Sequence, residues 1–288
     1  MVGALCADEF ARAHATLSRG RGAGGRGIAL QRTQLPNGMD ILQASDEETQ
    51  FLYREIFEGN EYLRNGVCLP PGACVFDVGA NIGLFTLQVH TLDPAARVLA
   101  FEPAPPVFRA LAANVQLHNV NAQLFRYALG RESGSATFGF YPGATGVSGL
   151  YPDVDSDRAL VRRLLLNQSP TLEANADRMM AGRFAVQRLE VPVRTLSEVI
   201  ATERIERIDL LKIDAEKAEL EVLAGLSDAD WPRVHQVVAE VHDVEGRLDA
   251  VQALLRSRGF HVLVEQDDLR RMTGLYGVYA RRDSQDTP

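Results

Sequence analysis

The chain has 288 residues, 46% of them hydrophobic and 24% charged, the balance of a folded globule with a sizeable core rather than of a disordered chain. Its formal net charge is −8 at pH 7; a sequence-independent nucleic-acid binder carries a basic face, because phosphate neutralisation dominates its affinity, so nucleic acid is not an expected partner. No stretch reaches the ~20 apolar residues that cross a bilayer, and the N-terminus lacks the basic start and apolar run of a signal peptide. The three cysteines, Cys6, Cys68 and Cys74, show no Cys-x-x-Cys spacing and support neither a disulfide framework nor a zinc site, so the expectation is a cytoplasmic protein with no membrane partner.

In chain order, residues 8–18 read as a short helix and Gly20 to Gly27 as a flexible linker, since no strand precedes the glycines and no Lys-Ser/Thr follows them. This separates an N-terminal segment, 1–34, from a lid region, 35–70, and a main domain, 71–288. In the lid, Pro36-Asn37-Gly38 signals a turn. Ser45 with Glu48 forms a capping box that opens an amphipathic helix through Phe51, Leu52, Ile56 and Phe57. Tyr53 and Tyr62 are the candidate lid contacts to a cofactor.

Beyond Pro70-Pro71-Gly72 the pattern becomes regular. Cys74 to Val78 reads as a buried strand, Asn81 to Val89 as a helix, Val98 to Phe101 as a strand, Pro106 to His118 as a helix and Gln123 to Ala128 as a strand. Ile208 to Ile213 and Gln236 to Val241 are further strands, with helices at Ala218 to Ala224 and Leu248 to Arg258; His261 to Glu265 and Gly277 to Arg281 close the chain. Strands alternating with helices predict an α/β fold, a mostly parallel twisted sheet covered on both faces, with an antiparallel hairpin at one edge. Residues from about 135 to 194 interrupt the alternation and read as an insertion above the active site, with strands at Ala136 to Phe140 and Leu189 to Val193 and an amphipathic helix at Asp157 to Leu166.

The strongest functional signal is Asp77-Val-Gly79-Ala-Asn81-Ile-Gly83, followed by Glu102 at the end of the next strand. Gly79 permits a sharp turn and close approach of a ligand to the backbone. The following helix offers free N–H groups, and Glu102 stands where an acid accepts hydrogen bonds from ribose hydroxyls. The spacing G-x-x-x-G differs from the nicotinamide fingerprint G-x-G-x-x-G. An acid at Asp77 is unfavourable beside a pyrophosphate but suits the amino and sulfonium ends of S-adenosylmethionine.

These segments resemble a family. VFDVGANIGLFTL (75–87), AFEPAPPVF (100–108), LAANVQLHN (111–119), ALG (128–130), VPVRTL (191–196), IDLLKIDAE (208–216) and VVAEVH (237–242) resemble the FkbM family of S-adenosylmethionine-dependent methyltransferases. LPNG (35–38) and ETQFLYREIF (48–57) are similar to the lid of members from polyketide and nonribosomal-peptide assembly lines. The resemblance, over roughly residues 35–281, implies a class I methyltransferase fold, a Rossmann-like sheet, and O-methylation. It implies that Asp77, Gly79, Asn81 and Glu102 bind the cofactor, with Gly83 and Asp214 beside them and Ala128 near the adenine. One departure stands out: where members read D-x-E-G, this chain has Asp214-Ala-Glu216-Lys217. A lysine there is strained if the glycine needed a positive φ, or else it points into solvent.

Methyl transfer from a sulfonium requires an aligned nucleophile relieved of its proton. Asp214, Glu216, Glu240 and His242 are the catalytic candidates; Glu240 and His242 share a strand face, with His242 as the expected general base and a carboxylate orienting it. The competing arrangement is Mg²⁺ held by Asp214, Glu240 and His242, which the histidine weakens because magnesium prefers all-oxygen shells. The expected acceptor is a small molecule of secondary metabolism, free or tethered to a carrier protein, with Arg158, Arg162 and Arg163 as the candidate basic patch for an acidic carrier. A nicotinamide-dependent oxidoreductase and a non-catalytic scaffold that has kept the pocket are the alternatives.

Overall fold

The computed structural model describes residues 28–282; the expected helix at 8–18, the glycine-rich linker and Cys6 lie outside them. Seven strands form the central sheet. Five are parallel: β3 (Cys74–Val78), β4 (Arg97–Phe101), β5 (Ala122–Phe125), β9 (Leu210–Ile213) and β10 (Gln236–His242). The closing pair, β11 (His261–Glu265) and β12 (Leu275–Arg281), is an antiparallel hairpin whose β12 strand also pairs antiparallel with β10. The order is β11-β12-β10-β9-β3-β4-β5, the mostly parallel α/β sheet with an antiparallel edge hairpin that the strand pattern predicts.

Successive strand side chains alternate between two cores. Val75, Val98, Ala100, Leu210 and Val238 enter one, with α2 (Leu84–Leu92) and α3 (Pro105–Leu117). Phe76, Val78, Leu99, Phe101, Leu211 and Ile213 enter the other, with α6 (Leu196–Glu203), α7 (Glu219–Ala224) and α8 (Arg247–Ser257). Strands buried on both faces read as continuous apolar runs, which is why they stand out in the sequence.

The lid region contains more structure than its sequence suggests. β1 (Gln31–Gln34) and β2 (Asp40–Gln43) form a hairpin around the Pro36-Asn37-Gly38 turn, where Asn37 Oδ1 accepts from the Met39 amide at 3.1 Å. Ser45 caps α1 (Asp46–Tyr53), accepting from the Glu48 amide at 3.4 Å. The expected reciprocal half of the capping box is absent: the Glu48 carboxylate accepts instead from Thr145 Oγ1 at 2.9 Å and from the Gly146 amide, tying the lid to the insertion. A π-helical turn, Arg54–Glu58, continues α1; such turns concentrate at functional sites.

The insertion forms a second sheet with the short strand that precedes it, β6 (Ala128–Leu129), β8 (Gln187–Arg194) and β7 (Gly134–Phe140) in that spatial order, and carries α4 (Val154–Gln168) and α5 (Ala176–Met180). A small core of Tyr141, Ala144, Met180 and Phe184 fixes the connecting segments.

The helix expected from Asn81 begins only at Leu84. Gly79, Asn81 and Gly83 all have positive φ (72°, 49° and 94°), so the chain spends these residues on the turn after β3. A Cβ on Gly79 would lie 1.7 Å from the Asp214 carbonyl oxygen. Replacing Gly79 with alanine adds this backbone collision to an unfavourable φ, and unfolding by denaturant is expected to show a loss of about 3 kcal/mol or more; a loss below about 1 kcal/mol would contradict this packing.

Candidate active site

A cavity of about 470 Å³ opens at the carboxyl ends of β3, β4, β9 and β10, where ligands bind open α/β sheets. One end is formed by the turn after β3. Gly79 and Asn81 line it, and Glu102, at the end of β4, accepts from the Asn81 amide at 3.2 Å and from the Ala104 amide at 2.8 Å. Burial pushes the Glu102 carboxyl up to about 7 against the pull of these two amides. Phe101, Tyr127, Ala128 and Leu129 supply an apolar wall beside it.

Beneath the turn lies Lys212, a lone ammonium in the apolar strand β9 and only 2% exposed. It donates to the Gly79 carbonyl at 2.9 Å and ion-pairs with Asp77 at 3.1 Å, while Asp214 stands 3.8 Å away. Burial works against its charge, but Asp77 and then Asp214 outweigh burial and hold its pKa above the usual lysine value. Asp77 also accepts from Thr86 Oγ1 at 2.7 Å. Asp77 is fully buried and does not line the cavity, so it supports the turn from below rather than offering a carboxylate to a ligand. Gly83 is likewise behind the wall, packed against Leu111.

The other end is acidic. Asp214, Glu216 and Glu240 line the cavity, and one oxygen of each lies within 4.8 Å of the others. Tyr62 lines it too, its hydroxyl donating to Asp214 Oδ2 at 2.9 Å. Tyr53 does not: it is buried and stacks on Phe57 at 5.1 Å between ring centroids, a core role.

Each carboxylate has its own neighbour. Burial raises Asp214 to about 6, with Lys212 opposing. Burial raises Glu216 to about 8, with His242 opposing. For Glu240 the Arg270 guanidinium outweighs burial and holds the carboxyl below its usual range. Arg270 is 2% exposed, donates to Glu240 Oε2 at 2.8 and 3.0 Å, and pairs with Glu55 at 2.9 Å and Asp267 at 2.8 Å. It therefore joins the lid, through Glu55, to the acidic end of the site.

His242 departs from expectation. It shares a strand face with Glu240 but does not line the cavity: its Nε2 lies 3.1 Å from Glu216 Oε2 and its Nδ1 3.4 Å from Glu219 Oε1. Burial disfavours the charged ring, yet Glu216 and Glu219 outweigh it and raise its pKa well above the usual histidine value. An imidazolium has no lone pair to accept a proton, and Glu216 stands between it and the cavity. The expected metal set changes with it, because the cluster is Asp214, Glu216 and Glu240, without His242. Lys217 takes the first of its two expected alternatives: it sits at a positive φ of 71°, and it is buried with its ammonium on Asp157 of α4 rather than pointing into solvent.

Residues 77–262 match the Methyltransferase FkbM domain. The chain is 49% identical over 254 residues, 88% of its length and 97% of the relative's, to the 31-O-demethyl-FK506 methyltransferase FkbM of Streptomyces tacrolimicus. The chain belongs to the FkbM methyltransferase family. The similarity extends to Methyltransferase 1 of Beauveria bassiana, 36% identical over 83% of this chain and 92% of that one. It also extends to the AMB antimetabolite synthetase AmbE of Pseudomonas aeruginosa, 41% identical over 86% of this chain but 12% of that much longer protein. As an FkbM-family enzyme the chain is an S-adenosylmethionine-dependent methyltransferase, which removes the oxidoreductase alternative.

The raised carboxyls set a pH dependence. A carboxyl whose folded pKa exceeds its unfolded value of 4.5 stabilises the fold below 4.5 and loses that contribution as pH rises through the folded pKa. For Glu216 the window runs from 4.5 to about 8. The melting temperature of the ligand-free FkbM-family enzyme is expected to fall across this window, and Glu216→Gln to fall less steeply; parallel curves for the two would contradict the environment described for Glu216.

Proposed function

We propose that the chain O-methylates a hydroxyl of a natural-product intermediate, with the Glu216–His242 pair taking the hydroxyl proton. The observation that carries this reading is one cavity with a bare glycine turn and Glu102 at one end and three carboxylates at the other. The bare backbone of Gly79, the apolar surface at Phe101, Tyr127 and Ala128, and Glu102 between them suit a nucleoside bearing ribose hydroxyls. Bound there, S-adenosylmethionine supplies an already activated methyl group. What the protein adds is orientation of the acceptor and removal of its proton. Glu216 faces the cavity and touches His242, so the two titrate together, and the pair holds the proton at a carboxylate–imidazole contact of 3.1 Å. His242 thereby acts through Glu216 rather than directly.

A metal-free reaction is favoured. Lys212 beside Asp214 and Arg270 on Glu240 already supply the positive charge that a cation would bring to the cluster. A free small molecule is favoured over a carrier-bound one, because two of the three candidate arginines already face acids within the insertion: Arg162 pairs with Glu173 at 2.5 Å, and the exposed Arg158 stands 4.0 Å from Asp177. The relatives' names point to natural-product chemistry.

Calorimetric titration with S-adenosylmethionine is expected to give micromolar binding, unchanged by EDTA and weakened by about tenfold or more in Glu102→Ala, which loses the ribose acceptor. Absence of binding in wild type would end the reading. With an acceptor in hand, Glu216→Gln is expected to lower kcat by about 10²-fold or more, the usual worth of a general base, and wild-type activity to rise with pH toward about 8. Full activity in Glu216→Gln would remove the proposed proton acceptor.

A further inference from the structure

The loop between β9 and α7 carries Glu216, and the residue after it, Lys217, sits at φ 71°, a conformation costly for a side chain and free for glycine. Lys217 is nevertheless 8% exposed, and its ammonium meets Asp157, itself 2% exposed, on the first turns of α4. Asp157 is fully engaged: Tyr141 Oη donates to its Oδ2 at 2.8 Å and the Asp153 amide at 3.0 Å. The Lys217 backbone is held as well, its amide donating to Glu219 Oε1 at 2.7 Å and its carbonyl accepting from Arg247. A few residues on, α4 lines the cavity with Leu160, Val161, Leu164 and Leu165. The roof also rests on Glu216: a Cβ on Gly149 would lie 2.7 Å from the Glu216 carbonyl oxygen.

We propose that Lys217 is a positioning residue, whose buried ion pair with Asp157 clasps the insertion helix onto the Glu216 loop and so fixes the apolar wall against which the acceptor is held. A strained backbone persists only where the surrounding contacts over-determine it, and removing one partner of a buried ion pair leaves the other charge uncompensated. Here they connect the proton-accepting loop with the segment that roofs it. Among the described residues, Gly79 and Glu102 at the cofactor end share no hydrogen bond or ion pair with Lys217 or Asp157. This rests on the reading of the cavity as a methylation site.

The test compares wild type, Lys217→Gly, Lys217→Arg and Asp157→Asn in the full chain saturated with S-adenosylhomocysteine. Glycine adopts the required φ without strain, so Lys217→Gly removes the clasp and leaves the loop intact. Amide exchange over residues 154–168 is expected to quicken by about tenfold or more in Lys217→Gly and Asp157→Asn. Exchange in β3 and β9 and the S-adenosylhomocysteine affinity are expected to stay within about twofold, and Lys217→Arg to keep the wild-type pattern. On an alcohol that wild type methylates, KM for the alcohol is expected to rise about fivefold or more with kcat within about twofold. Unchanged exchange over 154–168, or exchange that quickens equally in β3 and β9, overturns the clasp. A wild-type chain that binds no cofactor and methylates nothing would instead sink the function, and the exchange comparison in the ligand-free chain would still decide the clasp.

Discussion

The site depends on a single buried ammonium. Lys212 reaches from β9 under the turn after β3, takes the Gly79 carbonyl and neutralises Asp77, with Asp214 close by. A carboxylate as deeply buried as Asp77 is tolerated only when paired. The pairing does more than offset a cost: it connects the cofactor turn, the parallel strands and the acidic end of the cavity through one side chain. Gly79 completes the arrangement, since the Asp214 backbone approaches too closely for any side chain there.

Much of the fold was legible because doubly covered parallel strands must be apolar throughout and the turns between them need glycine. Cys74 to Val78 and Ile208 to Ile213, the latter a strand from Leu210 onward, were visible for this reason, as was the Gly79 turn with its Glu102 partner. The β1–β2 hairpin was not: its strands are four residues each, and Gln31–Gln34 has neither alternation nor an apolar run. The π-helical turn leaves no signal of its own in a helical pattern.

The acidic end of the cavity was half legible. Strand-end position grouped Asp214, Glu216, Glu240 and His242, of which the three carboxylates line one cavity and the histidine does not, and what each carboxylate meets is decided by residues distant in sequence. Arg270 arrives from the β11–β12 connection and Glu219 from α7, and neither carries a local signature. His242 therefore read as a general base oriented by a carboxylate on its own strand, when Glu216 and Glu219 in fact enclose it. Lys212 did have a signal, a lone charge inside an apolar strand, which demands a buried partner. The lid and the insertion show the same dependence, since Glu48 left its own helix for Thr145 and Lys217 turned inward to Asp157, contacts that only the folded chain creates.

The most direct measurement is calorimetric binding of S-adenosylhomocysteine to Lys212→Met, with circular dichroism to establish that the sheet persists. Methionine keeps the apolar stem but leaves Asp77 buried without its cation. The account expects a folded chain whose affinity for the cofactor product falls by about 10²-fold or more, as loss of one partner of a buried pair implies. A folded Lys212→Met chain with wild-type affinity would contradict the claim that this ammonium organises the site.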